Sequence, residues 1–226
     1  FEIQDSIEYW PLFEGPKIVY QEIQFHPRYA LDRTGAYTNN KVFLLPSDDL
    51  YLLSCLTSPL MWWYSFRYLP HMKDEALSPA GYLMEQLPIA EPTEQVRCAT
   101  EETAQGLIEI SQLIAARGAE FLDWLRIEFG VEKPSKKLED FASLDSAGFV
   151  QEAKKRMPKG TRLSPSALGE RRSTFDEYAV PMREQRVNAL QLERRISDLV
   201  NEAYGLTPEE IDLMWKTAPP RMPVGR

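Results

Sequence analysis

Residues 16–46 read PKIVYQEIQFHPRYALDRTGAYTNNKVFLLP, the part of the chain that is richest in strand-forming residues. Because β-branched and aromatic residues favour strands, we predict four short strands here, at residues 18–20, 29–32, 36–38 and 42–45. Gly35 is expected to close a hairpin between the second and third, where the turn needs a residue that tolerates positive φ. The fourth, VFLL, is almost wholly apolar and is expected to be buried on both faces.

Polar side chains are interleaved with the apolar ones along the same stretch. They include cations, amides and hydroxyls, which can pair with phosphates and read the edges of bases. The set consists of Lys17, Gln21, Gln24, His26, Arg28, Arg33, Thr38, Asn39, Asn40 and Lys41. The stretch therefore predicts recognition of a nucleic acid and not catalysis.

Beyond residue 46 the pattern becomes helical. Ser47 and Ser58 predict two N-caps, the second with Pro59 at the first helical position. The apolar residues of 101–129 recur at spacings of three, four and seven, which predicts a long helix. A second long helix at 183–204 is expected to pair with it.

Glycines and caps predict where these helices begin and end. Gly130 and Gly205 stand where the two long periodic segments stop, as C-terminal glycines do. Thr207 with Glu210 predicts a capping box at the start of a last helix. Between the long helices, residues 132–182 predict two or three short helices, one starting at Ser164 and Pro165.

These elements define an α+β protein with two domains. Residues 1–92 are predicted to form a small recognition domain with a mixed sheet, covered by helices at 47–68 and including an edge strand at 82–89. Pro88 and Pro92 mark its end. Residues 93–226 are predicted to form a helical domain with two long antiparallel helices.

The net charge of −8 argues against a simple basic nucleic-acid binder, so the distribution of charge matters more than its total. Residues 1–92 hold 6 Lys/Arg against 12 Asp/Glu, and residues 93–226 hold 20 against 22. One basic cluster stands out between residues 154 and 172, where Glu170 is the sole acid. Its cations are Lys154, Lys155, Arg156, Lys159, Arg162, Arg171 and Arg172. Such a cluster is compatible with a solvated helix end and with phosphate contact.

Motifs of common enzymes are absent from the sequence, including the dinucleotide and phosphate-binding glycine loops, the nucleophile elbow and H-E-x-x-H. His26 and His71 adjoin prolines, which predicts loop positions. Cys55 and Cys98 lack metal-binding spacing and are expected to be free, buried, cytosolic thiols. No apolar run approaches the roughly 20 residues that cross a bilayer. The chain begins at Phe1 without an initiator Met, which suggests a fragment, and no charged-then-apolar secretory leader follows, so a cytoplasmic location is expected.

Four segments in order resemble a known family: PKIVYQEI, ALDRTGAYTNNKVFLL, DDLYLLSCLTSPLMWWY and GYLMEQLPIAEP. They are similar to the C-terminal specificity region of adenine-specific DNA methyltransferases of type II restriction–modification systems. The ending RVNALQLERRISDLVNEAYGLTPEEIDLMW resembles the tail of combined restriction–methylation (type IIG) enzymes and related phage-defence methylases. The resemblance covers residues 16–92 and 183–216, whereas 93–182 resemble only generic helices.

This resemblance implies a target-recognition domain that grips double-stranded DNA. A separate N-terminal methyltransferase domain of the same polypeptide would bind S-adenosylmethionine and methylate a flipped adenine. The family's Asn-Pro-Pro-Tyr motif and glycine-rich cofactor loop have no match here, so this chain is expected to hold no cofactor and to lack catalysis of its own. The DNA-facing residues implied by position are Lys17, Arg28, Arg33, Tyr37, Asn39, Asn40 and Lys41, to which the basic cluster adds Lys154, Lys155 and Arg156.

Two other functions remain open at the level of sequence. The acidic composition is compatible with a DNA mimic that occupies the cleft of a restriction enzyme. The helical half is compatible with a structural or protein-interaction module. Asn39 and Asn40 are also common turn residues, which leaves their role open between recognition and chain reversal.

Overall fold

The computed structural model describes residues 9–158 and 165–223, except for the side chains of residues 165–168 and 170. The fold is α+β, as predicted, with a small sheet near the start of the chain and two long helices after it. The strands are β1 (Lys17–Gln21), β2 (Tyr29–Asp32) and β3 (Val42–Leu45). The helices are α1 (Pro11–Glu14), α2 (Leu50–Thr57), α3 (Pro59–Tyr68), α4 (Gly81–Met84), α5 (Glu94–Phe129), α6 (Lys136–Glu139), α7 (Ser146–Arg156), α8 (Pro165–Ala203) and α9 (Pro208–Lys216).

The sheet has the order β2–β1–β3, and both neighbouring pairs are antiparallel. Within the described residues it is therefore antiparallel and not mixed. Asp32 at the end of β2 pairs with the start of β1, whereas Val42 at the start of β3 pairs with the end of β1. Residues 33–41 consequently pass from one end of the sheet to the other and from one side of β1 to the other. They form a crossover and not the predicted hairpin.

Two strand predictions in this region were wrong. Residues 36–38 form no strand and belong to the crossover. β3 lies at an edge of the sheet, and none of its residues is fully buried. Local hydrophobicity could not reveal this, because the order of strands in a sheet depends on contacts between distant residues. Gly35, however, has the positive φ that its turn position predicted, at +74°.

The inward face of the sheet packs against the helices that follow it, as predicted. Ile18 and Tyr20 alternate along β1 and are both buried, as the two-residue period of a strand requires. Tyr20 contributes to a core with Leu56 of α2, Met61 of α3, Met84 of α4 and Leu87 of the turn after α4. This core fixes the helical layer under the sheet.

The starts of α2 and α4 differ from the predictions. Asp49 and not Ser47 caps α2, since its carboxylate accepts the amide of Leu52. Ser58 caps α3 as predicted, and its hydroxyl accepts the amide of Met61. The predicted edge strand at 82–89 is instead the short helix α4 and a turn, because Met84 and Leu87 are both buried at a helical spacing of three.

The C-terminal segment packs on α3. Thr207 and Glu210 form the predicted capping box at the start of α9. After α9 the chain accepts two indole hydrogen bonds from α3. Trp62 donates to the carbonyl of Pro220 at 3.1 Å, and Trp63 donates to the hydroxyl of Thr217 at 2.9 Å. The tail is therefore a structural part of the region that holds the sheet.

α5 and α8 run antiparallel, as predicted. The side chain of Leu192 lies beside Gly106, Phe175 and Tyr178 contact Phe121, and Arg171 lies over the ring of Phe129. Together with α6 and α7 they enclose an aromatic core that includes Phe121, Phe141, Phe149 and Phe175.

α8 is longer than predicted and continues through Pro181 to residue 165. A proline inside a helix costs about 3 kcal/mol. Phe175, Ala179 and Met182 are all buried in the aromatic core on the same helix, so packing on both sides of the proline maintains the helix. The cap predicted at Ser164 lies outside the described residues, as do Lys159 and Arg162.

Contacts divide the chain into two compact units. The first unit comprises Phe1–Gln105 and Glu193–Arg226, and the second comprises Gly106–Leu192. α5 and α8 each contribute residues to both units. The domain boundary predicted at residue 92 stays a prediction, because these units describe packing and not the limits of independently folding domains.

Candidate nucleic-acid interface

Lys17 and Asp32 form an ion pair at the end of the sheet where β1 begins and β2 ends. The Lys17 ammonium donates to the carboxylate Oδ2 of Asp32 at 2.5 Å and to the carbonyl of Phe13 at 2.7 Å. The Lys17 side chain is 0% exposed and that of Asp32 is 13% exposed. The sequence predicts a DNA-facing Lys17, and this prediction was wrong, because a buried and paired ammonium presents no charge to a phosphate.

Asp32 also organises the beginning of the crossover. Its Oδ1 accepts the amide and the hydroxyl of Thr34, at 2.8 and 2.7 Å, and its Oδ2 accepts the amide of Ala36 at 3.0 Å. The hydrogen bond from Lys17, followed by those from Thr34, holds the pKa of Asp32 well below its usual range. The carboxylate is therefore ionised at neutral pH and fixes the backbone of residues 33–36.

The other residues of this stretch that the resemblance predicts to face DNA have exposed side chains: Arg28, Arg33, Tyr37, Asn39, Asn40 and Lys41. Gln24, which belongs to the wider polar set, is buried. Neither Arg28 nor Arg33 forms an ion pair with another residue that the structure describes. Lys41 donates to the Glu22 carboxylate at 2.7 Å, at the opposite end of the sheet from Arg33. Asn39 accepts the amide of Lys41 through its side chain, so it serves the turn that leads into β3.

Charge sets this stretch apart from the rest of the first unit. Residues 23–41 contain a single acid, Asp32, and the ion pair with Lys17 neutralises it. The parts of the chain outside the second unit hold 12 Lys/Arg against 21 Asp/Glu. Residues 23–41 thus present cations and neutral polar groups on an otherwise acidic unit.

Exposed aromatic rings gather where α1 meets the crossover. Tyr37 stacks on Phe13 with ring centroids 5.2 Å apart and an interplanar angle of 18°. Trp10 lies 5.2 Å from Tyr37 and 6.4 Å from Phe13. Tyr9, Trp10 and Tyr37 are 51%, 50% and 54% exposed. The sequence analysis did not predict this cluster, although the density of aromatic residues in YWPLF (residues 9–13) was a signal for it.

The second unit carries the predicted basic residues Lys154, Lys155 and Arg156 on the last turn of α7, where all three are exposed. Lys155 pairs with Glu152 at 2.6 Å. The pKa of Glu152 is lowered by Lys155 and, to a smaller extent, by Lys137 and Arg156. Lys137 on α6 therefore belongs to this basic surface, which sequence order alone did not reveal.

Arg171, another member of the predicted basic cluster, is held by contacts within the second unit. The guanidinium of Arg171 lies 3.7 Å from the carboxylate of Glu128 and 4.9 Å from the centre of the Phe129 ring. These contacts within the second unit therefore engage the Arg171 guanidinium.

Cations at the end of a helix also stabilise the helix dipole, which gives the three basic residues at the end of α7 a structural role in addition to any contact with a ligand.

The described core of the first unit contains ionisable side chains around Cys55. Cys55 is free and buried, and burial raises its pKa to about 11. Tyr51 and Tyr204 lie beside it and donate to the carbonyls of Ala90 and Pro88, at 2.8 and 2.6 Å. Cys98 is free but exposed, so the prediction that both thiols are buried was wrong for this residue. In residues 9–158 and 165–223, no cluster of three or more His, Cys, Asp or Glu side chains is placed to hold a metal ion.

Comparison with known proteins gives one partial match. Residues 93–200 match a family model described as "Domain of unknown function (DUF8810)", which covers slightly less than half of the chain. The matched segment contains all of the second unit, together with the beginning of α5 and residues 193–200 of α8 from the first unit. Searches of curated proteins and of solved structures find no match. None of the described helices is long and apolar enough to cross a membrane.

Proposed function

We propose that this chain recognises double-stranded DNA as the C-terminal target-recognition region of an adenine-specific DNA methyltransferase of a restriction–modification system. The observation that supports the proposal most is the surface of residues 23–41. Its one acid, Asp32, is paired with Lys17 and fixes the backbone of residues 33–36. Arg28, Arg33, Asn40 and Lys41 are exposed, and Lys41 pairs with Glu22 at the border of this surface. Such side chains pair with phosphates and read bases in the major groove.

The two ends of the sheet would make different contacts with the duplex. Arg28 and Lys41 lie at the end where β2 and β3 begin, and Arg33 lies at the opposite end. β2 has four residues, so about 13 Å of strand separates the two ends. Phosphates follow one another at about 3.4 Å of axis per strand, so this span corresponds to about four of them. Arg28 and Arg33 would therefore contact separate positions of a recognition site.

The parent enzyme would supply the chemistry. In this proposal an N-terminal domain of the same polypeptide binds S-adenosylmethionine and methylates the flipped adenine, while the present chain holds the duplex in register. The exposed cations Lys154, Lys155 and Arg156 of the second unit would add contacts with phosphates. The proposal places the enzyme in the cytoplasm, where it would protect host DNA and act against phage DNA.

Selection of duplexes from a random pool, followed by anisotropy titrations, tests the proposal. A preferred site should emerge, and about three to six phosphate contacts should give a log–log salt slope of about −3 to −5. Replacing Arg28, Arg33 or Asn40 by Ala should weaken binding to the preferred site by about 1–3 kcal/mol and have little effect on other sequences. Replacing Lys154, Lys155 and Arg156 together should weaken binding to all sequences alike and reduce the slope by about 2 to 3.

Lys73→Ala is the matched control, because Lys73 is an exposed cation outside both surfaces. The proposal fails if no duplex binds at low salt, or if the variants of residues 28–40 behave like Lys73→Ala. Binding of the chain to a restriction enzyme in place of DNA would instead support the DNA-mimic alternative.

A further inference from the structure

Trp10, Phe13 and Tyr37 form an aromatic cluster on the surface. Contacts with paired DNA do not explain why rings of this cluster are exposed. Phe13 is partly buried beneath the other two rings, whereas about half of Trp10 and half of Tyr37 face solvent. Exposed rings in mutual contact are poor solvent-facing groups but good stacking surfaces. We propose that this cluster is a stacking platform for an unpaired nucleobase. The proposal rests on the proposed function only in taking nucleic acid as the partner.

The platform is held rigidly by the Lys17–Asp32 pair. Lys17 binds the carbonyl of Phe13, which fixes the segment that carries Trp10. Asp32 binds the amide of Ala36, the residue before Tyr37. A Cβ added at Gly35 would lie 3.7 Å from the carbonyl oxygen of Glu14, so the crossover passes close to the end of α1. Because both ring-bearing segments are fixed in advance, stacking does not have to order them first.

The charge of the neighbouring chain favours a nucleotide as the occupant. Residues 33–41 contain Arg33 and Lys41 and no acid. Lys41 pairs with Glu22, whereas Arg33 forms no ion pair with another residue that the structure describes. Glu14, next to Phe13, is also exposed, so Arg33 is the cation that would pair with the phosphate of a nucleotide stacked on Tyr37. Stacking on aromatic side chains is worth about 1–3 kcal/mol per base and tolerates any base, because each base has a π-face. Enzymes that act on a flipped base create unpaired nucleotides at their site, which gives the platform a partner there.

Anisotropy titration of the 226-residue chain with a labelled oligothymidine strand tests the proposal. Trp10→Ala and Tyr37→Ala should each weaken binding by about 5- to 150-fold, the equivalent of one lost stack. Trp10→Phe and Tyr37→Phe keep a ring and should retain most of the affinity. Tyr82→Ala is the matched control, since Tyr82 is 65% exposed on α4 and outside the cluster, and it should bind like the unmodified chain.

Other outcomes overturn the proposal. If Tyr37→Ala and Tyr82→Ala bind oligothymidine with equal affinity, the stacking proposal is contradicted. Self-association that depends on Trp10, without any effect of these rings on oligothymidine, would assign the cluster to a protein contact.

The two proposals fail separately. If the variants at Arg28, Arg33 and Asn40 change the preference among duplexes while the ring variants bind oligothymidine normally, only the platform is lost. If no duplex binds but oligothymidine binding depends on the rings, the stacking proposal is supported and the proposal of duplex recognition is contradicted.

Discussion

Lys17 and Asp32 face each other across β1 and β2, and their buried ion pair joins α1, the sheet and the crossover at one point. The same carboxylate accepts the amides of Thr34 and Ala36, so one acid fixes the start of the crossover, which lies within the stretch that we propose to contact DNA. The stability of the unit and the shape of its candidate interface therefore depend on the same two residues.

Removing one partner of this pair should be strongly destabilising. Lys17→Met leaves a carboxylate without its cation, and Asp32→Asn leaves a fully buried ammonium unpaired. Each change should lower the free energy of unfolding by about 3–5 kcal/mol. The double variant should lose less free energy of unfolding than the two single variants lose together, because neither charge then remains without its partner. Urea denaturation measures all three variants. Additive losses would mean that the two residues act independently.

The decrease in the free energy of unfolding at low pH should depend on Asp32. Its folded pKa lies well below the unfolded value of about 3.9, chiefly because of Lys17. The carboxylate therefore stabilises the fold above pH 4, and this contribution is lost as the pH falls toward the folded pKa. Urea midpoints measured from about pH 5 to pH 2 should fall less steeply for Asp32→Asn than for the unmodified chain. Parallel curves would exclude Asp32 from the acid response.

The two thiols should differ in reactivity. Burial raises the pKa of Cys55 to about 11, so little thiolate forms at pH 8 and the sulfur is also shielded. Cys98 is exposed, and although Glu102 raises its pKa, a reagent can reach it. A disulfide reagent should therefore titrate one thiol in the native chain and both after denaturation. Cys98→Ser should leave no fast-reacting thiol, and a fast thiol in that variant would contradict the buried position of Cys55.

The C-terminal tail should contribute to the stability of the first unit through the two indoles of α3. Trp62→Phe removes a buried donor and its volume and should cost about 1–3 kcal/mol. Trp63 is partly exposed, so Trp63→Phe should cost less than about 1 kcal/mol. Thr217→Ala removes the hydroxyl that accepts the hydrogen bond of Trp63. Combining it with Trp63→Phe should therefore cause no further loss of stability. Thermal unfolding of the single and double variants measures this coupling, and full additivity would mean that the hydrogen bond is not formed in solution.

Local signals in the sequence determined where many elements begin and end. Ser58 with Pro59, and Thr207 with Glu210, specify helix starts through hydrogen bonds within a few residues. Gly130 and Gly205 both have a φ of +64° where α5 and α8 end, a conformation that glycine adopts without strain. The long helices were likewise predictable from the periodicity of their apolar residues, and with them the α+β class.

Contacts between distant residues decided the rest. The order β2–β1–β3, the edge position of β3 and the crossover at 33–41 depend on pairing with β1, which no local pattern specifies. For the same reason α8 continues through Pro181, since the aromatic core of the second unit offsets a local preference. Of the candidate site, the sequence determined which cations and amides residues 23–41 contain. Only the tertiary structure withdrew Lys17 from solvent and brought Trp10 against Tyr37, because burial and ring contact arise when separate segments pack together.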